Sequence, residues 1–339
     1  MRPGIGVLAI ASAAFVGART HSATATECTG AVSPCVNDDT LWPHAGPSRF
    51  QAVGGSETVA PSELGFALSV SYLSRPINLV PEAPGGGPNR YVIDDQVNGT
   101  FLWSYGVTRR LELDLALPLT FGQSGSGLAP VTGGPGLHDT AVRDMRFGFT
   151  YALVRSVAAD PRASGVRPPD TWGLTTRFEV SAPTGDRDQF AGERSGVFVP
   201  SLAADGRIER FFVAAEVGAR VRPVTQLLDA RVGSQLLGAL GIGVDVLPDQ
   251  RLSAGLEAWA LPTLAGQSTA QSRGTSLVPA EWQLSLRTSP VPSHDLSLQV
   301  GGGGALSEST TTPRMRFTLA IRWTPSGQGR PASPGPGEP

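Results

Sequence analysis

Charged residues recur at even spacings inside stretches that are otherwise apolar or small. Glu112 and Asp114, Asp144 and Arg146, and Arg177 and Glu179 are paired this way; Glu216 with Arg220, Glu281 with Arg287 and Arg316 with Arg322 keep the same parity. Residues at even spacing share one face of an extended strand. The chemistry open to such faces is pairing of guanidinium with carboxylate in a crowded polar interior. In the core of a soluble sandwich each unpaired charge would be strongly unfavourable.

Catalysis would need a constellation such as serine, histidine and an orienting acid. His138 lies in a Gly/Pro-rich loop and His294 in a predicted short turn at the opposite end of the strands. Neither sits in a nucleophile motif, so no enzyme is expected. The run Gly301 to Gly304 is no phosphate cradle, because no Gly-Lys-Ser/Thr follows it. Within a strand it permits a kink or close packing against the contents of the interior. Asp186, Asp188 and Glu193 form a candidate calcium loop, but Arg187 and Arg194 interleave and favour a solvated, self-paired segment. Cys28 and Cys35 are too few for structural zinc. In an oxidising compartment the favoured reading is a disulfide closing CTGAVSPC. Lipid acylation of Cys28 is the competing reading, against which Glu27 stands. No metal and no cofactor are expected.

The elements that must position these charges show themselves by period-two alternation. In LELDLALPL, Leu111, Leu113, Leu115, Leu117 and Leu119 share one face, and Glu112 and Asp114 the other. Twelve such segments follow one another between residues 63 and 325, with no amphipathic helix among them. Only the ninth, RLSAGLEAWAL, is ambiguous: Leu252 and Leu256 take one face, Trp259 and Leu261 the other. Short and long connections alternate, apart from the long SVAADPRASGVRPPD between the fourth and fifth segments. Short turns at one end and longer loops at the other mark membrane barrels. Trp103, Tyr105, Tyr151, Trp172 and Trp323 fall towards the short-turn ends of the oily rows and Trp282 near a long-loop end. They are candidates for aromatic girdles at interface depth.

The predicted fold is therefore all-β, a transmembrane antiparallel up-and-down barrel of about 12 strands. Closing it removes every edge and satisfies all backbone groups within lipid. Candidate lumen-lining residues are Glu112, Asp114, Arg146, Arg177, Glu179, Glu216, Arg220, Glu281, Arg287, Arg316 and Arg322. Around the barrel, residues 1–25 read as a secretory signal, with Arg2 before an apolar run from Ile5 to Ala18. Residues 26–62 form an N-terminal periplasmic segment or a plug, and residues 326–339 a Pro/Gly tail. All 27 basic side chains are arginine, and a net charge of −2 gives no reason to expect nucleic acid as a partner.

Several phrases resemble the barrel portion of OmpA-type outer-membrane proteins of Gram-negative bacteria. They are FLWSYGVTRRLELDLALPL, VRDMRFGFTYAL, LTTRFEVSAPTGDRDQFAGERSGVFVPSLAAD, VGSQLLGALGIGVDVLP and GGGGALSESTTTPRMRFTLAIRWTP, spread over about residues 60–325. The resemblance implies an outer-membrane barrel without catalytic residues. It departs after Trp323, where TPSGQGRPASPGPGEP leaves no room for the peptidoglycan-binding domain. The expected partners are outer-membrane lipids, the barrel assembly machinery and small solutes. The expected function is a passive pore or small-solute channel. A non-conducting structural or surface-binding barrel is the alternative, and a soluble periplasmic barrel binding an apolar ligand the second.

Overall fold

The computed structural model describes residues 28, 32–79, 90–133, 136–156, 171–227, 230–247, 250–264, 278–291 and 295–325. The signal segment, the tail, His294 and the connecting residues 157–170 and 265–277 lie outside these residues. The strands are β1 (Leu64–Leu79), β2 (Arg90–Gly106), β3 (Leu111–Ser124), β4 (Ala141–Val142), β5 (Arg146–Arg155), β6 (Thr171–Ser181), β7 (Val197–Ile208) and β8 (Phe211–Arg220). They continue with β9 (Thr225–Leu227), β10 (Ala230–Val232), β11 (Gln235–Asp245), β12 (Leu252–Ala260), β13 (Ala280–Thr288), β14 (Leu296–Ala305) and β15 (Met315–Trp323).

Each long strand pairs antiparallel with its neighbour in sequence, β1 pairs with β15, and β2 with β3 completes the circuit. Twelve strands thus form a closed antiparallel barrel. The two-residue β4 lies against β3, and β9 and β10 make a small hairpin in the link from β8 to β11. Neither is visible as a period-two pattern, because both are too short to repeat. A single helical turn, α1 (Ala129–Thr132), sits in the link from β3. Among the described residues no helix is long and apolar enough to cross a membrane.

The oily rows face outward. Leu113, Leu115, Leu240, Leu284, Val300 and Ile321 are all exposed, whereas Glu112 on the opposite face is buried. Strand parity explains this, since neighbouring side chains point to opposite faces and the register keeps rows aligned between strands. Tyr105, Tyr151, Trp172 and Trp323 are exposed towards the short-turn ends, and Trp282 is exposed at a long-loop end; Trp103 is half-buried one step further in. The ambiguous β12 is resolved: Leu256 points out, while Trp259 and Leu261 are buried inside. At Phe121 a register shift between β2 and β3 reverses the parity, so that Gln123 turns inward.

Residues 32–62 run through the interior. Val32 bridges to Leu227 and Ser33 donates to the Gln226 carbonyl, both at the long-loop end. At the short-turn end the Ser62 amide donates to the Gly106 carbonyl, directly before β1. Between these points the segment has no strand or helix. Buried irregular backbone must find partners for its N–H groups elsewhere. The barrel wall provides them.

Candidate functional site: the filled barrel interior

Wall carboxylates take up the amides of the threaded segment. Glu257 Oε2 accepts from the Gln51 and Ala52 amides at 2.9 and 2.7 Å. Glu216 accepts from Gly54 N at 2.7 Å, Asp205 from Ser56 N at 2.8 Å and Glu112 from Val59 N at 2.6 Å. His44 Nε2 stands 3.0 Å from the same oxygen, Glu216 Oε2, and Ser201 donates to Glu216 Oε1 at 2.7 Å. Charge-assisted bonds of this kind are about twice as strong as neutral ones. Four acids on different strands therefore hold the backbone of residues 51–59.

The chain fits here because the wall leaves room. Phe50 lies over Gly241, where an added Cβ would meet its ring at 2.8 Å. Around it Leu41, Ala52, Val53, Phe212, Ala214, Ala239 and Trp259 form a buried apolar cluster. Gly46 has φ +72°, a conformation open to glycine, and a Cβ there would strike the Glu112 carboxylate. Among the described residues two small cavities lie beside the segment, one of about 40 Å³ by Ser48, Phe50 and Arg207 and one of about 20 Å³ beneath Trp42. These hold little more than isolated waters.

Near the long-loop end the polarity of the contacts inverts. Asp38 Oδ1 meets Arg143 Nη2 at 2.6 Å, and Asp39 Oδ1 meets Arg316 Nη1 at 2.9 Å. Arg316 also pairs through Nε with Glu281 Oε2 at 2.8 Å, and Thr40 donates to Glu281 Oε1. Arg220 Nη2 donates to the Thr40 carbonyl at 2.7 Å. The Trp42 ring lies between the guanidinium groups of Arg146 and Arg220, whose carbons stand 4.7 and 4.4 Å from its centroid. Burial pushes the Asp38 carboxyl up, against the pull of Arg143. Burial acts the same way on Asp39, but Arg316 and Arg143 together outweigh it and hold that carboxyl below its usual range.

Of the residues singled out from the sequence, Glu112, Arg146, Arg177, Glu216, Arg220, Glu281, Arg316 and Arg322 are buried, and Asp114 and Glu179 are half-buried. Arg146 pairs with Glu179 at 2.8 Å and Arg177 approaches Glu216 at 3.9 Å. Asp114 accepts from Thr150 at 2.8 Å, and Arg322 donates to the Gly46 carbonyl at 2.8 Å. Arg287 is half-buried, its Nε without a hydrogen-bond partner. Glu112, Glu216 and Glu257 meet amides of the segment, whereas Asp114, Glu179 and Glu281 meet side chains. The sequence reading missed Glu257, Arg143, Asp38, Asp39 and Trp42. The parity of Glu257 with Ser253 and Gly255 was a usable signal; the others sit in stretches without alternation.

At the long-loop end Cys28 and Cys35 are joined by a disulfide. The His138 amide donates to Gln189 Oε1. Of the candidate calcium loop, Glu193 pairs with Arg222 and Asp186 accepts from the Val142 amide. Among the described residues no group of acids, histidines and cysteines could hold a metal ion.

No family model and no curated protein matches the sequence. Solved structures do. An outer-membrane channel from Pseudomonas putida F1 aligns with 80% of this chain and 98% of its own at 17% identity, with a TM-score of 0.51. The KdgM porin aligns with 76% of this chain and 98% of its own at 7% identity, TM-score 0.41. The P. putida toluene transporter TodX aligns with 81% of this chain and 93% of its own at 12% identity, TM-score 0.41. The likeness to the first shows the fold: a twelve-stranded barrel of the outer-membrane kind.

Proposed function

We propose that the chain is an outer-membrane channel for small solutes, closed at rest by its own residues 32–62. The observation that carries this reading is the pairing of two surfaces: a closed barrel with an apolar exterior, and a charged interior large enough to admit a whole chain segment. Barrel width grows with strand number, and twelve strands enclose a modest lumen. The segment that fills it is held by wall carboxylates, by wall arginines and by packing of Trp42 and Phe50, and forms no strand of the sheet. Movement of residues 32–62 would leave an arginine- and carboxylate-lined passage.

On this reading residues 1–25 direct export and are removed, the aromatic residues Trp103, Tyr105, Tyr151, Trp172, Trp282 and Trp323 sit at the two lipid interfaces, and the assembly machinery inserts the barrel. The order of the OmpA-like phrases supports an OmpA-type barrel of a Gram-negative outer membrane. No enzymatic role is proposed. The small size of the remaining cavities favours the second reading, a non-conducting structural barrel.

Single-channel recording in planar bilayers separates the two. A channel gives infrequent openings for the wild-type chain and frequent, ohmic steps when Glu257 and Glu216 are both changed to alanine. Silence from a folded double variant would support the structural barrel.

A further inference from the structure

Three consecutive residues of the threaded segment each engage a different arginine of the wall. Asp38 binds Arg143, Asp39 binds Arg316, and the Thr40 carbonyl accepts from Arg220. The arginines come from the link before β5, from β15 and from β8, so the barrel itself brings them together. Their charge is not matched by the wall. Arg143 has hydrogen bonds to Asn98 and Thr120, but among the described residues its ion-pair partner is Asp38 alone. Arg220 has no carboxylate at ion-pair distance there, and its buried Nε has no hydrogen-bond partner. Glu179 and Glu193, whose fields reach it, pair instead with Arg146 and Arg222. Arg316 alone of the three has a wall acid, Glu281.

With residues 38–40 withdrawn, the Arg143 and Arg220 guanidinium groups would face the passage without an ion-pair partner among the described residues, beside Arg316, which Glu281 neutralises. Such a constellation selects anions, and planar guanidinium favours carboxylate geometry. We propose that Arg143, Arg220 and Arg316 form a binding site for a small dicarboxylate, of which the chain's own Asp38 and Asp39 are the resident occupants. A free dicarboxylate entering from the long-loop side competes with them and loosens the upper part of the closing segment. In naming a solute class this deepens the channel reading and, for transport, rests on it; the binding itself does not.

The test uses the full chain in detergent micelles. Succinate is titrated into the wild type and into Asp38→Asn/Asp39→Asn, with acetate, inorganic phosphate and neutral succinamide as comparators. The double variant should bind succinate at least about tenfold more tightly than the wild type, the scale of one charge-assisted contact. Acetate and succinamide should bind more weakly, and adding Arg220→Gln should remove the gain. A double variant that keeps heat-modifiable migration yet binds succinate no better than the wild type overturns the proposal. Phosphate binding as tightly as succinate overturns the dicarboxylate class. Should the double variant not fold, amide exchange at residues 37–42 of the wild type serves instead. It should quicken in succinate relative to succinamide at equal ionic strength, and an unchanged rate overturns the proposal. Conductance measured on the same proteins keeps the two readings apart. A folded chain that binds succinate but stays silent sinks the channel alone, and one that conducts without binding sinks the site alone.

Discussion

The two halves of the threaded segment are held by opposite means. Near the short turns the wall supplies carboxylates, and the segment supplies backbone amides: Gln51, Ala52, Gly54, Ser56 and Val59 donate to Glu257, Glu216, Asp205 and Glu112. Near the long loops the segment supplies the carboxylates, and the wall supplies arginines. The first arrangement draws its ionic bonds from the segment's backbone; the second draws its ion pairs from the side chains of Asp38 and Asp39. A backbone grip suits a part that must stay put, and a side-chain grip suits one that a soluble anion can imitate.

The largest effect is expected from Arg316→Leu. It leaves Asp39 and Glu281 buried without their shared cation, and breaking a buried pair in this way costs about 3–5 kcal/mol. Amide exchange should rise steeply at residues 37–42 and little at residues 51–59. Equal rises in both regions would show that the halves are one unit. Next comes Glu257→Ala, which orphans the Gln51 and Ala52 amides at about 1–3 kcal/mol for each donor. Here the rise should be confined to the lower half.

Trp42→Leu removes the ring between Arg146 and Arg220 and should cost about 1–2 kcal/mol, seen as a lower denaturation midpoint for the upper half. The smallest effect belongs to Gln51→Ala. The Gln51 side chain accepts one bond from Ser69, worth about 0.5–1.5 kcal/mol, while its amide keeps the bond to Glu257. A loss as large as that of Glu257→Ala would contradict a grip made through backbone.

The outward face was legible because one solvent decides it. Lipid accepts every apolar side chain alike, so the leucines of LELDLALPL announce their side by spacing alone. The inward face was legible only as polar. Its partners belong to residues far away in sequence, and no spacing within β15 says that Arg316 meets Asp39. Where the interior is apolar, alternation does not say which face is which: Trp259 and Phe212 turn inward and pack in one cluster with Phe50. The doublet Phe211-Phe212 carried a hint, since one member of any adjacent pair on a strand must face in. Residues 32–62 were hardest to place, because a chain without regular structure has no period to read.

The central claim is that hydrocarbon bathes the outside of this barrel and the chain's own segment fills the inside. Nitroxides placed on β13 at Leu284→Cys, Ser285→Cys and Leu286→Cys in bilayers test it most directly. The labels at 284 and 286 should relax with oxygen and not with a water-soluble nickel chelate, while the label at 285 is immobilised and shielded from both. Chelate access at 284 and 286, with oxygen access at 285, would contradict the account.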